Sequence, residues 1–163
     1  MARDFILASW LIIGLLGGCQ TKKEANNQGA RPKYDKANTA IIPWEPGYPF
    51  DSLTYQRTTL SPFDIELVED LLVAAVIDYN QSLAMQYQEH KITAGINDYK
   101  KQLVAVVNSK GEKEVWVNCL CAVDGDSWRN EIIVVHDGGP CFFNLKINLR
   151  TRKVYEMVVN GFA

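Results

Sequence analysis

The sequence predicts an α+β domain: one long N-terminal helix packed on a curved, mostly antiparallel sheet of four to five strands. Three observations carry this reading. A helix-start signal at Ser61-Pro62 precedes apolar residues at helical spacing. Alternating or valine-rich segments follow, and turn signals rich in Gly, Asn and Asp separate them. A helix followed by a run of strands is the pattern of an α+β domain.

Ser61 can cap free amide groups, Pro62 suits the first helical position, and Asp64 and Glu66 favour the positive end of the helix dipole. Leu67, Val68, Leu71, Leu72, Ala75 and Tyr79 then make one apolar face, so the helix runs to about residue 81. Glu66, Glu69, Asp70, Asn80 and Gln81 fall on the opposite side and read as its solvated face, not as catalytic carboxylates. Residues 99–107 alternate, Asn108-Ser109-Lys110-Gly111 turns the chain, and residues 114–122 complete a hairpin. Asp124-Gly125-Asp126 marks a second turn, residues 131–136 read as a further strand, and Asp137-Gly138-Gly139-Pro140 ends it. In 142–149, Phe143, Leu145, Ile147 and Leu149 face one way while Asn144, Lys146 and Asn148 face the other. A turn at 150–152 leads into the last strand, 154–159.

The chain has 163 residues, room for one ordinary domain. Its 47% hydrophobic and 22% charged residues exclude disorder, collagen-like repeats and a polytopic membrane protein, and a net charge of -2 excludes a strongly basic nucleic-acid binder. The apolar residues are unevenly placed, however. A positively charged Arg3 precedes an apolar run from Phe5 to Leu16, shorter than the roughly 20 residues that cross a bilayer as a helix. Leu16-Gly17-Gly18-Cys19 follows and resembles the bacterial lipobox. The resemblance implies cleavage before Cys19, a diacylglyceryl thioether on its sulfur and an acyl chain, such as palmitate, on its new amino group. Two acyl chains already suffice for stable anchoring.

The chain therefore divides into a lipoprotein signal peptide (1–18), a lipidated flexible tether (19–50) and a single α+β domain (51–163). The tether is polar after Cys19 and proline-rich at 41–50, where Trp44, Tyr48 and Phe50 can lie against the domain. Gln20 is not aspartate and no acidic run follows Cys19, which points to the outer membrane and a periplasm-facing domain.

Beyond Cys19, three cysteines remain. Cys119 and Cys121 share a strand face, and Cys141 is in phase with Phe143 and Leu145, so Cys141 can meet either of them across neighbouring strands. Pairing with Cys121 is preferred, leaving Cys119 as a buried thiol; three free core cysteines are the alternative. Zinc is not expected, because a C-x-C and one distant cysteine lack a fourth ligand. His136 beside Asp137 invites a general-base reading, but no motif places a nucleophile near it. No catalytic residue, metal or cofactor is expected.

The order of elements is similar to that of cystatin-like and NTF2-like folds. Gln102-Leu103-Val104-Ala105-Val106 is similar to the Q-x-V-x-G segment of cystatin protease inhibitors, without its glycine. From about Tyr55 onward the chain resembles a group of small uncharacterised lipoproteins of Bacteroidetes-type bacteria. The residues that carry this are Gly111-Glu112-Lys113, Trp116-Val117-Asn118-Cys119-Leu120-Cys121, Asp137-Gly138-Gly139-Pro140-Cys141-Phe142-Phe143 and Asn160-Gly161-Phe162-Ala163. The resemblance implies a recurrent pairing of C-x-C with G-G-x-C, and no mechanism.

The expected function is a membrane-anchored, non-enzymatic accessory or binding module for an envelope protein, peptide or small ligand, with no nucleic acid. Trp116, Asn118, Asn144, Lys146 and Asn148, on the open face of the sheet, are the expected binding surface. An NTF2-like enzyme or small-ligand pocket and a cystatin-like protease inhibitor are the alternatives.

Overall fold

The computed structural model describes residues 34–50 and 53–162. The residues read as a signal peptide and lipobox, Cys19 included, lie outside the described residues.

Helix α1 spans Pro62–Ser82 and begins with a reciprocal capping box. The Ser61 hydroxyl accepts from the Asp64 amide at 3.2 Å, and the Asp64 carboxylate accepts from the Ser61 amide at 2.8 Å. Lys113, 49 residues away in sequence, donates to the same carboxylate at 2.7 Å. Desolvation alone would raise the Asp64 pKa. The Lys113 hydrogen bond, then the Ser61 amide and hydroxyl, outweigh it and hold the carboxyl below the usual range. A depressed carboxyl pKa contributes stability that is present above the unfolded value, about 3.9, and is lost as pH falls through the folded one. Asp64→Asn is therefore expected to cost about 1 kcal/mol at pH 7 and to flatten the loss of stability in acid. Urea midpoints between pH 7 and pH 3 check this; parallel curves for the two proteins would contradict it.

Among the described residues the sheet has six strands. Strands β1 (Thr39–Ile41) and β2 (Gln56–Arg57) share one edge of β3 (Lys100–Val107), β1 running parallel to it and β2 antiparallel. Strands β4 (Lys113–Leu120), β5 (Phe142–Asn148) and β6 (Lys153–Val159) continue as an antiparallel meander. The sheet is thus mixed, with the parallel strand drawn from the segment read as tether.

One sheet face carries Leu103, Ala105, Val115, Val117, Cys119, Leu145 and Ile147, which pack on Ile65, Val68, Leu72 and Val76 of α1 as a single apolar core. Glu69 departs from its expected place on the solvated side of the helix. It turns inward, where its carboxylate accepts from Lys101 at 2.8 Å, and Lys101 is fully buried.

The opposite face was expected to be open, and it is covered. Ile42, Trp44 and Phe50 pack on Val104, Val106 and Trp116, and Trp128 packs with Ala40 and Leu120. Trp116 is 1%, Asn118 6% and Asn148 9% exposed, while Asn144 and Lys146 are half-buried. The physical reason is that residues 42–50, rich in aromatics, and residues 121–141 gain more by burying apolar surface on the sheet than by remaining solvated. Residues 39–50, ahead of the segment read as the domain, thus pack on the sheet.

Residues 131–136 do not form a strand. Side chains satisfy part of their backbone instead. Gln102 donates to the carbonyls of Trp128 and Glu131 at 2.5 and 2.7 Å and accepts from the Ile133 amide at 3.0 Å. Asn118 donates to Gln102 and to the Ile133 carbonyl, and Asn160 donates to the carbonyls of Val135 and Asp137. Gln102-Leu103-Val104-Ala105-Val106, the stretch similar to a cystatin segment, thus lies buried in β3 with its glutamine committed to this network.

Asp137-Gly138-Gly139-Pro140 and the C-terminal Asn160-Gly161-Phe162 are spatial partners. Gly139 donates to the Gly161 carbonyl at 2.9 Å. Its φ of 62° is in the left-handed region, and a Cβ there would collide with the Phe162 ring.

Candidate functional site

The register between β5 and β6 slips by one residue. Ile147 pairs with Val154 and Lys146 with Glu156, so Tyr155 is an extra residue on β6. Such a bulge re-aims side chains. Here it lets two consecutive residues reach partners on the sheet face turned away from α1: Tyr155 donates to Glu114 at 2.8 Å, and Glu156 accepts from Lys146 at 3.0 Å.

Glu114 is the floor of a cleft of about 320 Å³ at this end of the sheet. It is buried on β4 and takes three donors from three other segments. Tyr155 and Tyr55 donate to one carboxylate oxygen, at 2.8 and 3.2 Å, and Asn108 of the β3–β4 turn donates to the other at 2.6 Å. Glu112 lies beside it, accepting from Asn148 at 2.8 Å and facing the Arg150 guanidinium at 3.7 Å. Lys110, Thr151 and Lys153 are exposed around the mouth.

Burial, then the hydrogen bond to Glu114, pushes the Tyr155 hydroxyl above the ordinary tyrosine range. Burial, then the Glu114 charge, does the same at Tyr55. Both phenols are therefore neutral hydroxyls at physiological pH, able to donate to Glu114 and to accept from a ligand. The Asn148 hydrogen bond, opposed by desolvation and supported by Asn108, Arg150 and Lys110, holds the Glu112 carboxyl low.

The cleft lining holds no imidazole or thiol, and its hydroxyls are those of Tyr55, Tyr155 and Thr151, the two phenols being held on Glu114. His136 is exposed in the loop before Gly138, and His90 sits on Phe162 with ring centroids 5.4 Å apart. No group of histidine, cysteine, aspartate and glutamate that could hold a metal ion occurs among the described residues.

Of the five residues expected as a binding surface, Asn148 alone lines this cleft. Asn144 accepts from the Trp116 indole at 3.2 Å, Lys146 pairs with Glu156, and Asn118 belongs to the network around Gln102. Tyr55, Asn108, Glu112, Glu114 and Tyr155 were not foreseen. Glu114 was within reach of sequence reasoning, since it is in phase with Trp116 and Asn118. Tyr155 was not, because a bulge breaks the alternation that would have placed it.

Cys121 and Cys141 form a disulfide with Cα atoms 5.1 Å apart, closing the segment that covers the sheet. Strict alternation would set Cys121 beside Cys119, but β4 ends at Leu120 and frees Cys121 to turn outward. Cys119 is a buried free thiol, and burial pushes its pKa up, away from reactivity. The disulfide borders a second cavity of about 260 Å³ with Tyr99 and Phe162.

Fold and cleft define an α+β domain with a polar cleft of about 320 Å³ at one end of its sheet. Comparison with protein-family models, with curated proteins and with solved structures finds no match to this chain.

Proposed function

We propose that this chain is a lipid-anchored, non-enzymatic binding module of the bacterial cell envelope, held by Cys19 on the outer membrane with its domain facing the periplasm. The observation that carries the proposal is Leu16-Gly17-Gly18-Cys19 at the end of a twelve-residue apolar run, fifteen residues before the first described residue, Tyr34. No described helix is long and apolar enough to cross a membrane, which accords with attachment by acyl chains. The helix followed by an antiparallel meander supports a place near the cystatin- and NTF2-like folds, from which β1 and the covered outer face are departures. The polar cleft at Glu114 is the surface through which the module binds.

Metabolic labelling with tritiated palmitate tests the anchor. The natural chain is expected to take up label, and Cys19→Ser to take up none and to accumulate as a longer precursor. Equal labelling of the two would sink the proposal.

A further inference from the structure

The lining of the Glu114 cleft selects a class of ligand. Its volume of about 320 Å³ lies at the small end of ligand pockets, ~300–1,000 Å³, so it suits a single ring and not a folded partner. Glu114 already accepts three hydrogen bonds from neutral donors, which leaves little of its carboxylate to coordinate a metal ion. The same bonds orient the hydroxyls of Tyr55 and Tyr155 and leave their oxygen lone pairs to accept from a ligand. Half-exposed Tyr155 adds an aromatic surface beside these polar groups. Asn108, Asn148 and the Thr151 hydroxyl supply further donors and acceptors within the same lining. A small apolar platform ringed by groups that both donate and accept is the chemistry of a hydroxyl-rich ring, whose C–H face packs on the aromatic while its hydroxyls are satisfied at the edge.

The mouth adds a charge preference. Lys110 and Lys153 are exposed on the lining and take part in no ion pair among the described residues. Arg150 faces Glu112 from an exposed position. An acidic substituent on the ring would meet Lys110 and Lys153 at the mouth.

We infer that the cleft is a subsite for a saccharide unit bearing a carboxylate, a hexuronate, either free or as a residue of a glycan. This rests on the reading of the cleft as a binding surface. Saturation-transfer NMR on the full chain in detergent tests it with glucuronic acid, glucose and the disaccharide cellobiouronic acid. Glucuronic acid is expected to bind at least fivefold more tightly than glucose. Lys110→Ala with Lys153→Ala, both at exposed positions, should reduce glucuronic acid to the level of glucose. Tyr155→Phe should weaken both monosaccharides about tenfold, with folding checked by circular dichroism.

Tighter binding of the disaccharide indicates a glycan as the source, and equal binding indicates the free sugar; both uphold the ligand class. Equal binding of glucose and glucuronic acid, no binding of either, or indifference to the lysine changes overturns the inference. Hydrolysis of the disaccharide would instead overturn the non-enzymatic reading, and a chain that binds glucuronic acid but carries no lipid would overturn only the anchoring.

Discussion

Replacing Lys101 by alanine is expected to destabilise the domain by about 3–5 kcal/mol, because it removes one half of a buried ion pair. Lys101 lies on the helix-facing side of β3 with none of its surface exposed, and its ammonium is 2.8 Å from Glu69, whose side chain is 14% exposed. The other Glu69 oxygen is buried with no hydrogen-bond partner among the described residues. Without Lys101 the carboxylate would stay enclosed between helix and sheet with nothing to offset its desolvation. Lys101→Met combined with Glu69→Leu removes both charges, keeps most of the volume, and is expected to be neutral or to stabilise by about 1–4 kcal/mol. Guanidinium unfolding of the single and double variants measures the difference. A single variant that loses less than about 1 kcal/mol, as an exposed pair would, contradicts this account of the interior.

Gln102→Ala is expected to be comparably damaging through a different mechanism. One side-chain amide serves the carbonyls of Trp128 and Glu131, the amide of Ile133 and the side chain of Asn118. Each buried group left without a partner costs about 1–3 kcal/mol, so a total of about 3 kcal/mol or more is expected. The loss should also be local. Residues 121–141 remain held at their ends by the Cys121–Cys141 disulfide, but the middle of the segment loses its hold on the sheet. Hydrogen exchange should therefore accelerate at the Ile133 amide well before it does at Val117. Uniform acceleration across the domain would show that the segment is part of the global folding unit and not a layer clipped on by Gln102.

These two residues also mark where the sequence was legible. The helix, β3, the hairpin, β5 and β6 follow from local rules: a capping signal, period-two alternation and turn residues act within a few positions of the element they specify. Lys101 and Gln102 carry polar side chains into a strand whose neighbours are apolar, and their partners lie 32 residues away at Glu69 and 26 to 31 residues away in the covering segment. Alternation can place such residues on a face but cannot say what they meet. The strand expected at 131–136 failed for the same reason, since its apolar residues were real but its backbone partners are side chains and not a neighbouring strand. Trp116 shows the converse: alternation put it on the correct face, and only the aromatic segment at 42–50 decides that this face is buried.

The candidate site was less legible than the fold because it is assembled from short pieces of five segments and one register defect. Tyr55 precedes β2, Asn108 and Glu112 belong to the hairpin turn, Glu114 to β4, Asn148 to β5 and Tyr155 to the bulge in β6. No motif spans them. Cys19 is the opposite case, since the proposed anchor rests on adjacent residues at a recognisable spacing.

The most direct test of the account is the mass of the mature chain extracted from its own membrane. A chain beginning at Cys19, without residues 1–18, and heavier by a diacylglyceryl group on sulfur and an acyl group on nitrogen is the expected result. A chain that still begins at Met1, or one whose Cys19 is an unmodified thiol, would contradict it.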